Sequence, residues 1–118
     1  MYRDNLLAEK SMEFAVRIVN LYDYLVSERK ELVMSKQLLR SGTSIGANIR
    51  EAVYAQSRKD FVSKLGISLK EAAETEYWLE LLFRTKRLKQ VQYDSIQADC
   101  GELARILIVT VKRSKDGS

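Results

Sequence analysis

Arg40-Ser41-Gly42-Thr43-Ser44-Ile45-Gly46-Ala47-Asn48-Ile49-Arg50-Glu51-Ala52 is the stretch on which the fold turns. Read for local preference it is a loop, because each glycine in a helix interior costs about 0.5–1 kcal/mol relative to alanine. Read for periodicity it is a helix. Leu38, Ile45, Ile49, Ala52 and Val53 share one side, and the apolar positions before and after Gly42 and Gly46 stay in phase. The phase favours helix over residues 32–56, with the small side chains letting two helix backbones approach closely.

The rest of the chain supports that reading. None of its 118 residues is proline, the residue that costs about 3 kcal/mol inside a helix. Before the decisive stretch, Leu7, Phe14, Ile18, Leu21 and Leu25 recur at helical spacing over residues 5–27, and Glu13 and Arg17 stand four apart as a favourable surface pair. The charged run Glu28-Arg29-Lys30-Glu31 breaks the pattern. After the stretch, Ser57 is a natural N-cap with Asp60 three residues on. Phe61, Leu65, Leu69, Ala72, Leu79, Leu82 and Phe83 carry a stripe to about residue 86. A fourth stretch, residues 93–113, aligns Tyr93, Ile96, Cys100, Leu103, Leu107 and Val111, without a clear cap; Gly117 and Ser118 are expected to fray. Four amphipathic segments joined by short links predict one all-α domain spanning residues 1–118, an antiparallel up-down-up-down four-helix bundle.

Composition excludes more chemistry than it suggests. Histidine is absent, which removes the commonest general base and the commonest transition-metal ligand together. Glu71 and Glu74 have the spacing of half a di-iron site, but no histidine completes it. Gly42 and Gly46 are not followed by Lys-Ser or Lys-Thr, so they do not make a phosphate loop. The single cysteine, Cys100, rules out an intrachain disulfide and reads as a small buried hydrophobe. No apolar run approaches the roughly 18 residues of a membrane span, and no signal peptide is evident. A cytoplasmic protein with no enzymatic activity, no cofactor, no metal, no membrane partner and no small-molecule substrate is the expectation.

What remains is surface and register. Asn48 and Thr75 fall on or near the apolar stripes and need partners, across the helix pair or on the backbone. Ile67, Trp78 and Leu81 fall off the core stripe of the third segment, and Met12, Val19 and Val26 broaden that of the first. One subunit cannot hide all of these, and exposed apolar surface marks an interface. Self-association follows as the expectation, with Ile67, Glu74, Trp78 and Leu81 as the candidate interface. The net charge of +4 permits contact with nucleic acid. In an up-down-up-down bundle the first and third links share an end, which gathers Arg29, Lys30, Lys36, Arg84, Lys86, Arg87 and Lys89; Lys112, Arg113 and Lys115 lie at the other. These are solvated helix ends or an electrostatic footprint for RNA or DNA.

The run from Arg40 to Ala52, with Ser57, Phe61 and Lys70-Glu71-Ala72-Ala73-Glu74-Thr75-Glu76-Tyr77-Trp78-Leu79, resembles the bacterial four-helix bundle proteins of the 23S rRNA intervening-sequence family. The likeness spans nearly the whole chain. It implies an antiparallel four-helix bundle assembled as a ring of five. Some members are encoded within insertions in 23S rRNA genes, and a related bundle accompanies a retroelement reverse transcriptase and binds nucleic acid. The family motif falls here on Arg40, Ser41, Ser44, Asn48, Glu51, Glu74, Thr75, Tyr77 and Trp78, for which the resemblance implies structural or interface roles. A salt bridge from Glu74 to Arg40 or Arg50 is one such role. The functional expectation is a homopentamer that binds RNA or DNA through basic helix ends; the alternative is an adaptor that binds another protein and has no nucleic-acid affinity.

Overall fold

The computed structural model describes residues 2–116; the expected fray at Gly117 and Ser118 lies outside them. Four helices, α1 (Tyr2–Ser27), α2 (Met34–Val53), α3 (Arg58–Arg84) and α4 (Gln90–Asp116), account for most of the chain, and no strand occurs among the described residues. The decisive stretch is therefore helical, through both glycines.

Pair contacts fix the direction of each helix. Gly42 lies against Ile18 and Gly46 against Ser11, so α2 runs opposite to α1. Ser41 meets Thr75 and Ile45 meets Ser68, so α3 reverses again. Cys100 meets Ala72 and Phe83 stacks on Tyr93, which turns α4 back along α3. Lys10 pairs with Glu102 and Arg17 with Asp99, closing α4 onto α1. The diagonal pairs α1/α3 and α2/α4 do not approach one another. The result is the antiparallel square bundle, 48 × 20 × 19 Å, its length set by 27-residue helices rising about 1.5 Å per residue.

All four helices feed one core, with Phe14, Ile18, Leu38, Ile45, Leu65, Leu79, Leu82 and Leu107 almost wholly shielded from water. Gly42 shows why the small residues sit where they do. A Cβ there would come within 2.8 Å of Ile18 Cγ1, closer than real Cβ contacts allow.

Several expectations change at the helix ends and on the surface. Helix α2 is shorter than residues 32–56 at both ends. At its start, Glu31 is buried, its carboxylate accepting from the Ser35 N–H at 2.8 Å while Ser35 Oγ donates to the Glu31 carbonyl at 2.7 Å. A residue read as part of a charged break is thus a cap. At its end, the Tyr54 N–H turns to the Glu51 carbonyl, tightening and closing the last turn. Helix α4 begins three residues earlier than residue 93, because Gln92 Oε1 accepts from the Lys89 N–H at 2.8 Å, half of a capping box. Ser57 caps α3 as expected, accepting from the Asp60 N–H at 3.1 Å. The expected Glu13–Arg17 pair does not form. Arg17 reaches across to α4 instead, donating to Asp99 Oδ2 at 2.6 Å and Ser95 Oγ at 3.0 Å, where a carboxylate and a hydroxyl converge on one guanidinium.

Candidate functional site

The motif residues of α2 and α3 converge along the seam between those helices. Arg40 Nη2 donates to Glu74 Oε2, and Nη1 reaches Glu71 Oε1 at 3.5 Å. Trp78 Nε1 donates to the same Glu74 oxygen at 3.0 Å. Of the two arginines considered for Glu74, it is Arg40 that takes it. Arg40's hydrogen bond, with the indole's behind it, holds the Glu74 carboxyl below the usual carboxylate range, and Glu74 in turn raises the Arg40 guanidinium. One layer inward, Ser41 Oγ and Thr75 Oγ1 are buried 3.0 Å apart, and Thr75 Oγ1 also lies 2.8 Å from the Glu71 carbonyl. With one hydrogen on each hydroxyl, Thr75 donates to Glu71 and accepts from Ser41. Further along the seam, buried Ser68 donates to the Ile45 carbonyl at 2.8 Å, and Lys64 pairs with Glu51 at 2.9 Å.

The remaining motif residues serve their own helices. Ser44 Oγ donates to the Arg40 carbonyl at 2.6 Å, and Asn48 Nδ2 donates to the Ser44 carbonyl at 2.8 Å, the backbone option of the two open to it. Tyr77 packs its ring edge-on to Trp78, centroids 5.0 Å apart, and stays exposed. Sequence reasoning passed over Ser68. Its signal was available, since Leu65, Ser68, Ala72, Thr75, Leu79 and Leu82 repeat at spacings of three and four, and each is buried.

Of the residues read as an interface, Ile67 is exposed, while Leu81 and Trp78 are half-buried and Trp78 packs on the core. The larger uncovered apolar strip is on α1, where Met12 (52% exposed), Val16 (54%) and Val19 (42%) face solvent beside a groove of about 400 Å³ between α1 and α2. Sequence reading had named Met12 and Val19 there but not Val16. On α4, Ile108 and Val109 are also uncovered.

The links α1–α2 and α3–α4 do share an end: Arg29 Nη2 donates to the Lys86 carbonyl at 2.8 Å. Lys30 and Lys86 each hold a left-handed backbone, at φ 56° and 66°, within these links. Arg84 pairs with Glu80 at 2.8 Å, and Arg87 Nη1 donates to the Thr85 carbonyl at 3.3 Å. Lys36 is exposed in the first turn of α2, and Lys89 stands immediately before α4. Phe83 and Tyr93 lie at this end too, but they stack on each other, centroids 4.5 Å apart, and pack on the core.

None of this offers a nucleophile beside a base. Cys100 is fully buried against the Ala72 carbonyl, and desolvation pushes its thiol up to about 12. Among the described residues no cluster of three His, Cys, Asp or Glu side chains could hold a metal ion, and no helix is long and apolar enough to cross a membrane.

The profile of the 23S rRNA-intervening sequence protein family matches residues 3–109. The chain belongs to that family. Its match includes every motif residue of the seam. Among solved structures, it is similar to the crystal structure of a protein with unknown function from the S23 ribosomal protein family of Bacteroides thetaiotaomicron VPI-5482. The two share 64% sequence identity and superpose with a TM-score of 0.92, over 93% of this chain and 98% of the other. No curated protein matches.

Proposed function

We propose that this member of the 23S rRNA-intervening sequence protein family is a non-enzymatic, cytoplasmic bundle that assembles with copies of itself, as a ring of five, and binds RNA or DNA through its basic end. The observation that carries assembly is the apolar surface left over once the core is complete. Seventeen hydrophobic residues among those described are buried inside the bundle, yet Met12, Val16 and Val19 remain about half exposed on one helix face. Contiguous uncovered apolar side chains on a chain with a full core mark a contact with another protein surface, and identical copies are the commonest partner. The number five rests on the family resemblance. Support for nucleic acid comes from the link–link contact that gathers Arg29, Lys30, Arg84, Lys86, Arg87 and Lys89 at one end, and from the family's association with 23S rRNA by name.

Multi-angle light scattering on the wild-type chain tests the assembly. A species of several times 13.6 kDa is expected. A monomer at micromolar concentration would remove the ring. An assembled protein with no affinity for nucleic acid at low salt would favour the adaptor reading instead.

A further inference from the structure

Two uncovered surfaces on this chain complement one another, and they are not the same surface. The first is the α1–α2 groove, floored by the small residues Ala8, Ala15 and Gly46 and edged by Met12, with Val16 exposed beside it on α1. Outside the groove, flanking Met12 and Val16 on the outer face of α1, the exposed charges are acidic, Glu9 and Glu13, and neither forms an ion pair within the described residues. Arg50 is the cation at the groove's α1 N-terminal end; Glu51, also lining it, is already paired with Lys64. The second surface lies on the outer side of α4. Ile108 and Val109, 52% and 42% exposed, sit among Arg105, Lys112 and Arg113, with Asp116 beyond them. Those three cations are likewise unpaired among the described residues.

We infer that the α1–α2 groove of one copy receives the Ile108–Val109 strip of the next copy's α4, making the self-association head-to-tail. This rests on the proposal that the protein self-assembles, and it adds which surfaces meet. With α4 laid antiparallel to the neighbour's α1, the charges match in order: Asp116 toward Arg50, Lys112 and Arg113 toward Glu9, and Arg105 toward Glu13. Ile108 and Val109 then fall on Met12 and Val16. Opposite charges ringing an apolar centre select both partner and register, and the small groove residues leave room for the β-branched pair. Because α4 is antiparallel to α1 inside each chain, this contact keeps neighbouring bundles pointing the same way. It also offsets them by roughly two helical turns, since Lys10 is level with Glu102 within one chain, so a closed ring requires the bundles to lean relative to the ring axis.

A head-to-tail contact makes a distinctive prediction for mixtures. The groove variant Met12→Asp/Val16→Asp and the strip variant Ile108→Asp/Val109→Asp each change only exposed side chains, so both should keep wild-type helicity by circular dichroism. Light scattering should find each variant monomeric. Mixed one to one, they should give a species of two chains and no larger, because one good groove and one good strip remain. If either variant assembles like the wild type, the pairing is overturned while self-assembly stands. If both are monomeric and the mixture stays monomeric, the contact is not head-to-tail and the inference fails. A monomeric wild type would remove the underlying proposal as well.

Discussion

At the residue scale, Glu74 is a shared acceptor: a guanidinium and an indole N–H converge on one of its oxygens. A carboxylate so placed has a lowered pKa in the folded chain, so its contribution is present above the unfolded glutamate value near 4.3 and is lost as pH falls through the lower folded value. Trp78 is the sole tryptophan and reports on this directly. Its fluorescence should shift in an acid titration with a midpoint below the ordinary glutamate value, ahead of any loss of helical circular dichroism, and Glu74→Gln should abolish that shift. A midpoint at or above the ordinary glutamate value would show that the Arg40–Glu74–Trp78 cluster does not form in solution. The stability at stake is small. Arg40 and Glu74 side chains are 50% and 36% exposed, and pairs of this kind contribute up to about 1 kcal/mol. The cluster therefore acts chiefly on register, which fits its place directly outside the buried Ser41–Thr75 contact.

At the element scale, Gly42 and Gly66 sit in opposite surroundings. Gly42 is pressed against Ile18, itself wholly buried and unable to move aside, whereas a Cβ on Gly66 would meet nothing within 4 Å. Gly42→Ala should therefore destabilise the protein by about 1–3 kcal/mol, as overpacked cores do. Gly66→Ala should stabilise it by about 0.5–1 kcal/mol, the ordinary gain in a helix interior. Urea unfolding of the two variants checks both signs, and a destabilising Gly66→Ala would mean that a neighbouring chain packs there. The same contrast explains what could be read from sequence. Periodicity carried α2 through its glycines because a stripe depends on side chains at spacings of three and four, which Gly42 and Gly46 do not interrupt. It could not reveal that Glu31 caps α2 from a buried position, or that Arg17 prefers Asp99 to Glu13. Those choices depend on which side chains a neighbouring helix brings within reach, and sequence spacing along one helix does not contain that information. The Arg40–Glu74 pairing was legible only as one of two options, for the same reason. Trp78, read as off the core stripe, is half-buried and packs on the core, because the seam between two helices is neither core nor surface; a large ring there shields one face and leaves the other to solvent.

At the scale of the whole molecule, the question is whether one basic end binds nucleic acid with enough strength to matter. Fixed positive charges alone give a salt-dependent, sequence-tolerant affinity, because each neutralised phosphate releases condensed counterions. The logarithm of affinity then falls with the logarithm of salt at a slope of about −0.9 per phosphate on duplex and about −0.7 on single strands. Not all seven cations contribute equally. Arg84 is paired with Glu80, while Arg29 and Arg87 each spend a donor on a carbonyl, of Lys86 and Thr85, and keep their charge, so a single copy offers one small footprint. Assembly through the inferred head-to-tail contact would change this: it would place every copy's basic end on the same side, and linked sites bind with an avidity that no single site has. Filter binding of an RNA and a duplex DNA at two salt concentrations should therefore give a slope larger for the assembled wild type than for the Met12→Asp/Val16→Asp chain. Charge reversal at Arg84, Lys86, Arg87 and Lys89 should flatten the slope in both. If the assembled and unassembled chains gave equal slopes, the basic ends would not act together. If charge reversal left binding intact, this basic end would not be the nucleic-acid footprint.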